Sequence, residues 1–242
     1  MRSSYNGRTK ILPHGFDYSP VALWQLNGNL RDSGPNKFTL TLETSGTGGE
    51  RYANIGGLQG FYFDGATNLL AGLDSRLQTN GDVTVEFIAH VVPFTLGCLV
   101  GTGTAGSDTE PNNDQYTIYA NNAAAIGITS FWEHDAGVDV STQTQYSPNG
   151  MCHIAMVKSL GGTAVQFFAN GLPASPIVTG LTASTGGTTS QVRIGSDHSG
   201  NTSAFRLSGF MSSVKIVLSA LSAAQVKDEY NRTLGPVYGL RS

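Results

Sequence analysis

The chain has 242 residues, 31 of them glycine, with 13% charged residues and a formal net charge of -3. That length suits one large β-sandwich or two small domains, and a composition this poor in charge and rich in glycine excludes a mainly helical fold. The small negative balance excludes a nucleic-acid partner held by clustered Lys and Arg, and no apolar run reaches the roughly 18 residues of a membrane span, so membrane insertion is not expected.

Residues 1–20 mix Arg, Lys, Gly, Pro and Asn without sustained periodicity and read as an extended arm. The arm opens without the apolar core of a signal peptide. Its side chains Arg2, Tyr5, Arg8, Lys10, Phe16 and Tyr18 are the ones available to fasten it to a partner. A globular region is expected over 21–234, starting with the apolar segment Val21–Leu26 and two turn signals, Asn27-Gly28-Asn29 and Asp32-Ser33-Gly34-Pro35-Asn36, on either side of Leu30.

Alternation is clearest in Val83–Val91, where Val83, Val85, Phe87, Ala89 and Val91 share the core face of a strand. Glu86, Ile88 and His90 share the other. A mixed polar second face fits the concave side of a curved sandwich sheet, which makes Glu86 and His90 candidates for ligand contact. Cys98 and Cys152 each sit in an apolar run and read as reduced core thiols.

Further strands are expected at Tyr116–Ala120, Ala125–Glu133, Cys152–Lys158, Val165–Ala169, Gln191–Gly195 and Phe210–Val217, joined by turns such as Ala169-Asn170-Gly171. Short strands without intervening amphipathic helices argue for antiparallel sheets. The exception is Ser222–Tyr230, where Ser222 and Gln225 form a capping box and Val226 and Tyr230 lie one turn apart, the signature of a short helix. Residues 235–242 read as a tail.

Several groups invite a chemical reading. Aromatic faces stack on pyranose rings, so Trp132, Tyr116, Tyr119 and Tyr146 are candidates for carbohydrate contact, set against the preference of strand aromatics for the core. The loop at 107–114 carries oxygen ligands suited to calcium at Asp108, Glu110 and Asp114, without the glycine spacing of an EF-hand; a solvated polar loop is the plainer reading. No other cofactor is expected. Asp32 and Asp64 read as turn residues. His14, His90, His134, His153 and His198 show no metal-ligand spacing. The sequons at Asn201 and Asn231 carry no weight without export.

The ordered set Ala22-Leu23-Trp24-Gln25-Leu26, Phe61-Tyr62-Phe63-Asp64-Gly65, Asp82–Phe87, Cys152–Val157 and Phe168-Ala169-Asn170-Gly171, followed by Val192–Gly195, Leu207–Phe210 and Leu221–Val226, resembles the laminin-G-like or pentraxin-like branch of the concanavalin-A-like lectin and glucanase superfamily. The resemblance runs from Ala22 to Tyr230. It implies an all-β, two-sheet antiparallel jelly-roll sandwich with a short C-terminal helix. Two positions depart from the family pattern: Met151 stands where a Trp is common, and Met211-Ser212-Ser213 stand where acidic residues are common, which puts a family-type calcium site in doubt.

Glycosidases of that superfamily pair carboxylates on one strand, about 5 Å apart across the sugar bond. Glu133 and Asp135 are the nearest approach, but Gly137 follows where those enzymes carry a further glutamate, so catalysis is not expected. The expected function is a non-catalytic structural protein of a tailed-phage virion, as capsid decoration or tail adhesin, held to other virion proteins by the arm. A host-surface glycan is its expected ligand and a symmetric homo-oligomer its expected state. A soluble or cell-surface glycan-binding lectin module is the alternative, and a glycoside hydrolase the third reading.

Overall fold

A computed structural model of the chain describes residues 19–44, 49–79, 81–91, 97–103, 116–121, 128–132, 134–135, 138–139, 143–145, 151–181, 191–197 and 205–234. In chain order the strands are β1 (Ala22–Trp24), β2 (Thr41–Thr44), β3 (Tyr52–Ile55), β4 (Leu58–Asp64), β5 (Thr67–Leu73), β6 (Val83–Val91), β7 (Gly97–Gly103), β8 (Thr117–Asn121), β9 (Ile128–Trp132), β10 (His134–Asp135), β11 (Val138–Asp139), β12 (Gln143–Gln145), β13 (Cys152–Ser159), β14 (Ala164–Ala169), β15 (Leu172–Pro173), β16 (Val178–Thr179), β17 (Gln191–Ile194) and β18 (Ser208–Val217). One α-helix, α1 (Ala223–Thr233), follows the last strand.

These strands form an all-β, two-sheet antiparallel sandwich. The first sheet runs β15-β14-β13-β6-β18-β4-β3, with β1 added to β18 and β16 to β14. The second runs β12-β9-β8-β7-β17-β5-β2, and β10 and β11 form a separate ribbon. Strand β6 has the span its alternation predicts, and Val83, Val85, Phe87 and Ala89 point into the shared core with Trp24, Phe61, Phe63, Met156 and Ile216. Strands β8, β9, β13, β14, β17 and β18 fall within a few residues of their expected places. Asn170 (φ 50°) and Gly171 (φ 74°) make the positive-φ turn between β14 and β15 that an Asn-Gly pair favours.

Asp32 and Asp64 are turn residues. The Asp32 carboxylate accepts from the backbone N–H groups of Leu23 (2.8 Å), Gly34 (2.6 Å) and Phe38 (3.0 Å), tying β1 to the following loop. Asp64 accepts from the Ala66 N–H and the Thr67 hydroxyl and pairs with Arg51.

Glycine hides two strands from periodicity. In β7, a Cβ on Gly97 would lie 2.9 Å from Leu207 Cα, and one on Gly101 would lie 2.8 Å from Ser196 O. Both glycines are where another stretch of backbone crosses the sheet. In β5, core-facing Leu69 and Ala71 are interleaved with Asn68 and Gly72, too weak a pattern to stand out.

Candidate functional site

Helix α1 covers part of the outer face of the first sheet. It starts at Ser222, whose capping box with Gln225 is complete, and its Val226 packs with Ala155, Val157, Phe168, Val217 and Leu221. Leu234 and Tyr230 close over Ile88, Met151, Phe210 and Tyr62. The alternation of β6 does put Glu86 and Ile88 on this outer face, but helix burial overturns the expected ligand role of Glu86, which is 3% exposed. Helix and sheet meet there in a charged cluster: Lys215 Nζ lies 3.1 Å from Glu86 Oε2 and 3.0 Å from Glu229 Oε2, and Arg232 pairs with Glu229. His153 Nε2 is 3.8 Å from Glu86 Oε1. Burial pushes the Glu86 carboxyl up to about 7, against the lowering effect of Lys215. Burial also takes the His153 imidazole down to about 4. His90, farther along β6, is half-buried.

The outer face of the second sheet carries a different set. Glu43 of β2, Asn68 of β5 and Arg193 of β17 are brought side by side by strand register, Glu43 directly opposite Asn68. Asn68 Nδ2 donates to Glu43 Oε2 (2.6 Å), Arg193 Nε to the same oxygen (3.3 Å), and Arg193 Nη2 to Gln191 Oε1 (2.8 Å). Arg193 is 4% exposed and the Glu43 side chain 21%, so the network opens to solvent at its Glu43 edge. On the same face, beyond the Ser196–Asp197 backbone that lies over Gly101, Tyr119 meets Phe205 edge-on at 5.6 Å between centroids, and Phe205 is 38% exposed. Asn68 and Arg193 are buried, so the groups this face offers a ligand are the partly exposed Glu43 carboxylate that they hold in place and, separately, the Phe205 ring. A carboxylate and an aromatic face are groups a neutral sugar can use, for a directional hydrogen bond and for stacking.

The four aromatic candidates part company here. Tyr116 belongs to the core, where its hydroxyl donates to Leu77 O (2.8 Å), so burial overturns its expected sugar contact. Tyr119 stands on the outer face, buried and edge-on to Phe205. Trp132 ends β9, paired with Thr117, while Tyr146 lies outside the described residues. Outside them too lie the loop acids Asp108, Glu110 and Asp114, the arm residues Arg2, Tyr5, Arg8, Lys10, Phe16 and Tyr18, and Glu133. Asp135 sits in the β10–β11 ribbon opposite Val138. Among the described residues no group of three or more His, Cys, Asp or Glu side chains is placed to hold a metal. Cys98 and Cys152 are buried thiols outside any disulfide, and burial pushes the Cys152 thiol up to about 12. Glu43, Asn68, Arg193 and Phe205 gave no signal in sequence, because three separate strands and a distant segment assemble them.

Two antiparallel sheets, a helix laid on one outer face and a polar-aromatic array on the other define a lectin/glucanase-like β-sandwich domain of the carbohydrate-binding type. The chain belongs to the concanavalin A-like lectin/glucanases superfamily, whose laminin-G-type family model matches residues 63–227. Its fold is similar to that of domain 4 of AbnA, a GH43 extracellular arabinanase from Geobacillus stearothermophilus, solved in complex with arabinotriose (TM-score 0.65, 17% identity, covering 87% of this chain and 97% of that one). It is also similar to the receptor binding domain of botulinum neurotoxin C/D mosaic serotype (TM-score 0.64, 11% identity, 89% of this chain and 52% of that one). A third similarity is to the binding domain of botulinum neurotoxin DC, solved with rat synaptotagmin II (TM-score 0.63, 10% identity, 89% and 52%). The chain thus spans about half the length of the toxin binding domains. No curated protein matches the sequence.

Proposed function

We propose that the chain is a non-catalytic glycan-binding module that uses the outer face of its second sheet and is displayed on a virion. The observation that carries the binding role is the partly exposed Glu43 carboxylate, held in place by buried Asn68 and Arg193, on the same face as the exposed Phe205 ring. The resemblance to an arabinanase domain solved with arabinotriose supports a neutral oligosaccharide as ligand. The non-catalytic reading rests on the sequence, where Gly137 follows Glu133 and Asp135 at the place glycosidases of the superfamily carry a further glutamate.

Binding of arabinotriose and of a glycan array to the purified chain tests this reading. Phe205→Ala and Glu43→Gln are expected to weaken binding by about tenfold each, on the order of one stacking contact or one charge-assisted hydrogen bond. The thermal midpoint should be unchanged in Phe205→Ala and lowered in Glu43→Gln, where buried Arg193 loses its carboxylate partner. Unaltered binding in both variants would remove the site from this face.

The virion setting rests on the low charge, the two buried thiols outside any disulfide, suited to folding in a reducing compartment, and the arm at 1–20. Its partners would be other capsid or tail proteins of a tailed phage, held through that arm in a symmetric assembly. Deleting residues 1–20 should abolish incorporation into particles, seen by electron microscopy, while the sandwich still folds. A truncated chain that still assembles would leave the soluble lectin as the better reading.

A further inference from the structure

The cluster beneath α1 is one positive charge short in its interior. Glu86 from β6 and Glu229 from α1 are both buried, with side chains 4% and 5% exposed, and they share the single ammonium of Lys215 from β18. Arg232, the second cation, reaches Glu229 from the rim of α1 with its own side chain 57% exposed, so water screens much of its charge. It is also shared with Asp228 at 3.8 Å. Among the described residues the other neighbours are His153 from β13 and the Tyr230 ring, 6.0 Å from it. The Asn170-Gly171 turn closes the site, with Asn170 bonded to the His153 backbone.

Two buried polar atoms in the cluster have no hydrogen-bond partner, Glu86 Oε1 and His153 Nδ1. They belong to the two side chains that face each other across 3.8 Å between Oε1 and Nε2. A carboxylate oxygen without a donor, beside an imidazole and in a pocket lacking one positive charge, is a place for a proton.

We infer that Glu86 and His153 hold one proton between them and that this proton latches α1 onto the first sheet, so that the helix is tightest when the site is protonated and loosens as the pH rises past neutrality. The proton goes onto Glu86 Oε1 or His153 Nε2, and either placement brings the interior to neutrality with Glu229 and Lys215. Its loss leaves two buried carboxylates on Lys215, with Arg232 compensating Glu229 only from the solvent-exposed rim. Relief comes from lifting α1, which returns Glu86 to water and carries Glu229 away. The raised affinity of buried Glu86 for a proton agrees with this direction. The latch is independent of glycan binding on the opposite sheet.

Hydrogen exchange of the full chain between about pH 6.5 and about pH 8.5, corrected for intrinsic rates, tests the latch with the amides of β6 and β13 as internal reference. Protection of α1 relative to those strands should fall as the pH climbs through about 7 and level off above it, by at most about tenfold per unit for a single linked proton. Glu86→Gln, which carries the neutral form permanently, should flatten that dependence. Glu229→Gln removes the competing carboxylate that raises the proton affinity of Glu86 and should move the midpoint of the loss to lower pH or abolish it. A wild-type α1 whose relative protection does not change over this range overturns the inference. So does a Glu86→Gln or Glu229→Gln chain that keeps the wild-type pH dependence.

Discussion

Glu86 and His153 face each other on adjacent strands, 3.8 Å apart, and burial moves their proton affinities in opposite directions, Glu86 up to about 7 and His153 down to about 4. For Glu86 the folded value is raised, so its contribution to stability is complete below the ordinary carboxylate range and is lost as the pH climbs through about 7. For His153 the folded value is depressed, so its contribution is complete above the ordinary imidazole value and is lost as the pH drops through about 4. Over the acidic range between, the two oppose each other. Urea unfolding should therefore show a wild-type midpoint nearly independent of pH from about 4.5 to about 6.5. Glu86→Gln should lose stability on acidification through that window and His153→Gln should gain it; the same slope in both variants would contradict this pairing.

Asp32→Ala should cost about 3 kcal/mol, because three backbone N–H groups lose a charged acceptor in one step, and those donors belong to Leu23, Gly34 and Phe38. Chemical denaturation measures the loss. Asp32→Asn, which keeps one acceptor oxygen, should recover part of it.

Gly195 and Gly65 both have positive φ, 85° and 78°, yet their surroundings differ. A Cβ on Gly195 would meet the Phe63 ring at 2.4 Å, whereas one on Gly65 would meet nothing within 4 Å. Gly65→Ala should cost about 1 kcal/mol of backbone strain; Gly195→Ala should cost at least about 3 kcal/mol or prevent folding, since overpacking adds to strain. Thermal unfolding of the pair separates the two contributions.

Tyr116→Phe should lower stability by about 1 kcal/mol, for one buried hydrogen bond from its hydroxyl to Leu77 O. Glycan binding should be unchanged, in contrast to Phe205→Ala. Altered ligand affinity in Tyr116→Phe would show that the core ring communicates with the outer face.

Elements whose structure depends on neighbours in sequence were legible without coordinates. The alternation over Val83–Val91, the Ser222–Gln225 capping box and the Asn170-Gly171 turn each specify a local backbone geometry, and each appears where its residues predict. Strands β5 and β7 were not legible, since glycine and polar residues interrupt their apolar pattern for reasons that lie in other parts of the chain.

The site followed the same division. Residue types suited to sugar contact were readable, but their exposure was not. Tyr116 and Tyr119 are three apart and both aromatic, yet one closes the core and the other stands on the outer face. Opposite sheet faces account for that split.

The sequence alone determined the fold class, because hydrophobic period, turn chemistry and helix capping act over a few residues and are written in their order. Only the tertiary structure decided that Glu86 lies beneath α1 and that Glu43, Asn68 and Arg193 form one network, because those contacts join residues as far apart as 150 positions. Such neighbours are chosen by strand register and sheet order, which no local pattern encodes.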